Sequence, residues 1–185
     1  MAEGKTEGKL TERRKRPLRL FFVLTFALGK LADSIHQNIV ETKKKKKKMI
    51  AKNNIFNIRT GAKWKGMTGA KNGFVEFETR EYGIRAWIVL MHNYRVKHRC
   101  ATVRAIITRF APPSENQTQA YIKYCRERVY KSEITWLTTT ADYVRLGCAM
   151  AKMETGTVLT AQEIYDVMRQ FNVHFLSDKE INNLG

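Results

Sequence analysis

Six consecutive lysines, Lys43 to Lys48, set the first constraint on this chain, because a run of like charge cannot be packed into a core. The run separates a leader, residues 1–48, from residues 49–185. The leader holds 14 Lys and Arg against five acids, and the remainder holds 20 against 12. A quarter of the length therefore carries half of the net charge of +17. With 43% hydrophobic residues the chain can form an ordinary core, which must lie after the run. The expected organisation is a basic low-complexity leader over 1–48, a domain over 49–176 and a tail over 177–185.

The leader admits three readings. Arg13 to Arg19 followed by Leu20 to Leu28 has the outline of a signal peptide, but no A-x-A site follows. The apolar stretch falls short of the roughly 20 residues that span a bilayer, so no transmembrane segment is expected. Lysine codons directly before Met49 are also what an A-rich stretch ahead of a bacterial start codon yields when translated, which would make Met49 the start. The third reading is a disordered basic arm that holds phosphates electrostatically. Cys100, Cys125 and Cys148 are odd in number and form no C-x-x-C pair, so reduced thiols are expected, with no metal and no cofactor.

After Met49 the pattern is mostly helical. Residues 53–73 read as short extended pieces and turns, and Phe74-Val75-Glu76-Phe77-Glu78 alternates like one half-buried strand. Thr79 with Glu81 opens a helix to about His98, with Ile84, Trp87, Ile88 and Met91 on its buried face. Thr102 caps a helix that Pro112-Pro113 must stop. Asn116 with Gln119, Thr139 with Asp142, and Thr160 with Glu163 each predict a capped helix, the last two over about 140–154 and 161–171. The expected class is mainly α (α+β), a helical domain with a small extended lobe near its start.

Asn53 to Arg59, Trp64-Lys65-Gly66, Gly73-Phe74 with Phe77, Gly83-Ile84-Arg85-Ala86, and Arg109 to Asn116 with Tyr121 occur in an order that resembles a family of tailed-phage and prophage proteins usually described as structural or virion proteins. The resemblance covers residues 53 to about 156. Asn54-Ile55-Phe56-Asn57 stands where N-P-G-N is expected. More distantly, the same order is similar to the glucosaminidase branch of the lysozyme-like superfamily, with its N-L-F-G turn, W-K-G and aromatic strand. That resemblance implies a lysozyme-like fold, bacterial peptidoglycan as partner beside other virion proteins, and action in the virion or, after delivery, the periplasm and cell wall. In that branch the catalytic Glu precedes the turn, where this chain has only Glu41, inside the leader.

Cleaving a glycan requires a carboxylic acid that holds its proton near neutral pH. Glu154 closes a helical segment ahead of Gly156, where the negative end of the helix dipole should oppose ionisation, and its surroundings resemble the E-S-G or E-T-G helix end of goose-type lysozymes and transglycosylases. Its place after the turn implies a circularly permuted arrangement. Glu115, in the Pro-Pro-Ser-Glu-Asn turn, and Glu78, which shares a strand face with Glu76, are the other candidate acids; a capping acid and a solvated strand face are their plainer roles. Asn54, Asn57, Arg59, Trp64, Asn116 and Tyr121 are the candidate substrate-binding residues. Three functions follow: a peptidoglycan-binding protein that cleaves the glycan strand as a glycosidase or lytic transglycosylase, a non-catalytic virion or wall-binding module, and a basic nucleic-acid-binding protein. The last rests on charge alone.

Overall fold

The computed structural model describes residues 31–40, 51–114 and 116–183. The chain divides into two compact units, Met1–Lys48 and Met49–Gly185. In the first, residues 31–40 are helical and Leu31, Ile35 and Ile39 are exposed along one stripe. The apolar stretch Leu20 to Leu28, Glu41 and the lysine run lie outside the described residues. Among those described, no helix is long and apolar enough to cross a membrane.

The second unit runs β1 (Met67–Lys71), β2 (Phe74–Phe77), α1 (Arg80–His98), α2 (Val103–Phe110), α3 (Thr118–Val129), α4 (Thr140–Thr155), α5 (Ala161–Phe171) and α6 (Asp178–Asn182). It is mainly helical with one small β lobe. The two strands pair antiparallel, Met67 opposite Phe77 and Lys71 opposite Phe74, with a bulge between Met67 and Gly69. Asn72 and Gly73 join them, both at positive φ (52° and 80°), the backbone that a two-residue I′ hairpin turn demands. Only the second strand was expected from periodicity, because β1 is exposed on most of its positions and shows no alternation. The Asn-Gly pair was the available signal.

Local chemistry sets most helix starts. Thr102 accepts from the Ala105 N–H, and Thr139/Asp142 and Thr160/Glu163 form complete capping boxes at the expected places. The cap expected at Asn116 does not form. Its side chain donates to the Pro112 carbonyl at 3.4 Å, and the helix begins at Thr118, whose hydroxyl reaches the Ala111 carbonyl at 2.6 Å. Within the expected tail, Ser177 and Glu180 make a third capping box, and Glu180 pairs with Arg95 of α1.

Helices α2, α3, α4 and α5 pack in succession, and α5 and β2 both lie on α1. The aromatic centre of the core is a chain of rings. Phe56 stacks on Trp87 with centroids 4.7 Å apart, Trp87 meets Phe175 edge-on at 5.4 Å, and Phe175 stacks on Tyr143 at 5.1 Å. These residues are fully buried. The chain before β1 can approach this core because the first turn of α1 carries Gly83, where a Cβ would lie 2.2 Å from the Asn53 carbonyl oxygen. Gly83→Ala gains about 1 kcal/mol of helix propensity, yet the contact is with backbone that cannot swing away. The expected net result is a loss of about 1–3 kcal/mol, read from the urea midpoint.

Candidate active site

The site begins in the turn from Asn53 to Arg59. Asn54 is fully buried, and its amide donates to the carbonyls of Ile58 (2.9 Å) and Val75 (2.7 Å) while its oxygen accepts the Ile58 N–H at 2.8 Å. The side chain closes the turn on itself at Ile58 and ties it to β2 at Val75, so Asn54 shapes the site from within the protein. Asn53 fastens the same turn to the end of β2 by donating to the carbonyls of Phe77 and Glu78. Asn57 adopts φ 49°, a left-handed conformation that asparagine tolerates better than most residues.

The turn meets the end of α4. The Asn57 amide donates to Glu154 Oε2 at 3.1 Å and to the Glu154 carbonyl at 3.2 Å, across 97 positions of sequence. Beside it the Thr155 hydroxyl donates to the Ile55 carbonyl at 3.1 Å. Gly156, at φ 75°, ends the helix there, as the sequence pattern predicts. The turn motif and the acid are thus neighbours in space, although the acid follows the motif in the chain.

Glu154 is half-buried, and burial raises its carboxyl above the ordinary range. Tyr121, Asn57 and the charge of Arg59 act in the opposite direction without offsetting it. The dominant cause is therefore desolvation, a tertiary effect, where helix-end position alone predicts a dipole effect. Tyr121 is 6% exposed, and its hydroxyl closes no well-formed hydrogen bond, though it lies near enough to bias the ionisation of Glu154. Its own ionisation is pushed up by burial and by the adjacent Glu154. Glu154 thus holds its proton more tightly than a solvated glutamate does.

Asn57 and Arg59 also line a cleft of about 320 Å³ with Ile58, Trp64, Leu90, Tyr94, Arg109, Phe110 and Pro112. Trp64 is half-buried, and its indole N–H is buried with no partner. Arg59 lies over the Phe74 ring at 5.6 Å and Arg109 over the Tyr94 ring at 5.3 Å. Of the residues expected at a site, Glu154, Asn57, Arg59 and Tyr121 come together, and Asn57, Arg59 and Trp64 share the cleft. Glu78 is exposed at the end of β2, and Asn116 is exposed after α2; neither lines the cleft. Glu115 lies outside the described residues. Arg109, Tyr94 and Phe110 were missed as site residues, although Arg109 and Phe110 open the most distinctive motif.

Fold and site together define a mainly helical protein with a small β lobe, in which a half-buried carboxyl, raised by burial, is joined through Asn57 to a cationic, aromatic cleft. Over 78 residues the chain is 37% identical to Protein P5 of Pseudoalteromonas phage PM2. The match takes in 39% of this chain and 49% of that protein, so the chain spans about half the length of the relative. The chain is thus similar to a phage protein. No family model matches it.

Proposed function

We propose that this is a phage structural protein with a lysozyme-like domain that binds peptidoglycan and cleaves its glycan strand, with Glu154 as the proton donor. The observation that carries this reading is the half-buried Glu154 carboxyl, raised by burial and held by Asn57 at the edge of an aromatic cleft. Glycosidic cleavage needs a carboxyl that is protonated near neutral pH to protonate the leaving oxygen. Among the described residues no Asp or Glu lines the cleft itself, and Glu154 is the carboxyl tied to it, through Asn57. That favours chemistry in which one carboxyl first gives the proton and then receives one, either from water or from a hydroxyl of the sugar itself.

The test is incubation of the full chain with purified peptidoglycan, followed by mass spectrometry of the soluble fraction. Released muropeptides, hydrolysed or in the anhydro form, are the expected result. Binding without release would leave a non-catalytic wall-binding module of the phage particle, the second reading, which the similarity to a phage protein supports equally. Trp64 supplies a further check, since an indole face suits the apolar face of a sugar ring. Trp64→Ala is expected to lose about 1–2 kcal/mol of buried contact, or roughly ten-fold in retention on sedimented peptidoglycan. Trp64→Phe, which keeps an aromatic face, should lose less, and equal losses would remove the stacking role.

A further inference from the structure

A groove of about 410 Å³ lies between α3, α4 and the start of α5, away from the Glu154 site. Arg145 and Lys152 of α4 line it, and at about 100° of helix per residue both fall roughly half a turn from Glu154. Val144, Cys148, Ala149 and Leu159 form an apolar floor. Tyr130, 82% exposed, and Val158, 73% exposed, stand beside it, and among the described residues no other large apolar side chain is as exposed as these two. One such residue is ordinary on a protein surface. Two of them flanking one apolar floor make a contiguous patch of the kind that receives a partner. Tyr130 is also in a conformation that disfavours it. It ends α3 at φ 58° and ψ 35°, the left-handed cap that glycine fills best, whereas α4 and α5 end in the same conformation on Gly156 and Asn172. Burial does not call for a tyrosine at this position, and backbone geometry opposes one.

The charge around the groove is one-sided. Arg145 pairs with Asp142 at 3.0 Å. Arg128 lies 3.4 Å over the Tyr124 ring and donates to the Tyr124 carbonyl at 3.1 Å, and Lys152 donates to the Gly156 carbonyl at 3.4 Å, so these two cations meet neutral partners. Among the described residues no Asp or Glu lines the groove. We propose that it docks an acidic, amphipathic segment of another protein, whose apolar side chains rest on the floor between Tyr130 and Val158 and whose carboxylates meet Arg128 and Lys152. Phosphates and sugars of a nucleic acid would satisfy the cations and leave the floor of Val144, Ala149 and Leu159 uncovered, which favours a peptide. The surface is independent of the Glu154 reading and stands whether or not glycan is cleaved.

The experiment pans displayed random peptides of about 15 residues, roughly four helical turns, against the full chain. Depletion on the full chain carrying Tyr130→Gly with Arg128→Glu removes acidic peptides that the leader lysines capture. Survivors are expected to carry Asp or Glu beside apolar residues. As labelled synthetic peptides they should bind the parent about ten-fold more tightly than either single variant in fluorescence anisotropy. Tyr130→Gly should at the same time raise the melting temperature by about 2–4 °C, because glycine relieves the left-handed cap. That rise separates a ring kept for binding from one kept for folding, and a fall instead overturns the proposal. It is equally overturned if no peptide survives depletion, if the survivors lack acids, or if they bind the parent and both variants alike. A thymidine oligonucleotide that loses affinity with Tyr130→Gly while the peptides do not would assign the groove to nucleic acid and overturn it as well.

Discussion

Glu154→Gln is expected to leave a folded protein whose release of soluble fragments from peptidoglycan is lost by about 10²–10⁴-fold, the usual worth of a positioned general acid. The substitution keeps the size of the side chain and one acceptor for the Asn57 amide, and removes only the transferable proton. Stability should move the other way. A carboxyl whose folded pKa is raised binds its proton more tightly in the folded state than in the unfolded chain. The folded state therefore loses ground as pH rises from the ordinary carboxylate range through the raised value, and the full cost is present above it. Glutamine carries no such cost, so Glu154→Gln should melt higher than the parent at neutral pH, with the gap closing in acid. Melting curves of both proteins across pH check this. A variant that melts lower at every pH would mean Glu154 is a structural residue. The opposite signs for activity and stability separate a working acid from a satisfied surface carboxylate.

Phe56→Ala is expected to cost about 3–5 kcal/mol, as deletion of a fully buried aromatic ring usually does. Against a typical domain stability of about 5–15 kcal/mol this is roughly a fifth of the total at the least. Phe56 has no exposed surface and stacks on Trp87, 12° from parallel. It is the apolar anchor of the turn whose next residue, Asn57, holds Glu154. The loss should appear as a lower urea midpoint at unchanged slope, together with a red shift of Trp87 emission as water reaches an indole that has no polar partner. Phe56→Leu, which refills most of the volume, should cost much less. A cost below about 1 kcal/mol for Phe56→Ala would show that other contacts hold the turn. The N-P-G-N pattern of the resembling family has no ring at this position, so the substitution also tests how this chain secures a turn that the family pattern builds differently.

Helix positions were legible wherever a short-range cap decided them. Thr102, Thr139 with Asp142, and Thr160 with Glu163 each lie within three residues of the N–H they satisfy, so no distant contact is needed to form them. The same cue was present at Ser177 and Glu180, but α6 spans only Asp178–Asn182 and gains much of its support from Arg95 of α1, which lies 85 positions earlier. Asn116 carried the cue and did not cap: the helix starts at Thr118, with Gln117 in the N-cap position. β1 was hidden for a third reason: its positions are mostly exposed, so no alternating pattern was required of it.

The acid divides in the same way. Its residue type, its place at a helix end and the terminating Gly156 are properties of neighbouring residues, and sequence by itself determined them. Sequence also determined that the mainly helical unit lies after the lysine run, since apolar periodicity and caps occur there. Only the tertiary structure decided that the Asn57 turn, 97 positions away, closes on Glu154, that burial is the main cause of its proton affinity, and that Arg109 and Tyr94 share a cleft with Asn57 and Arg59. Caps and periodicity act over one or two helical turns, whereas desolvation depends on every atom that excludes water from a site, wherever those atoms fall along the chain.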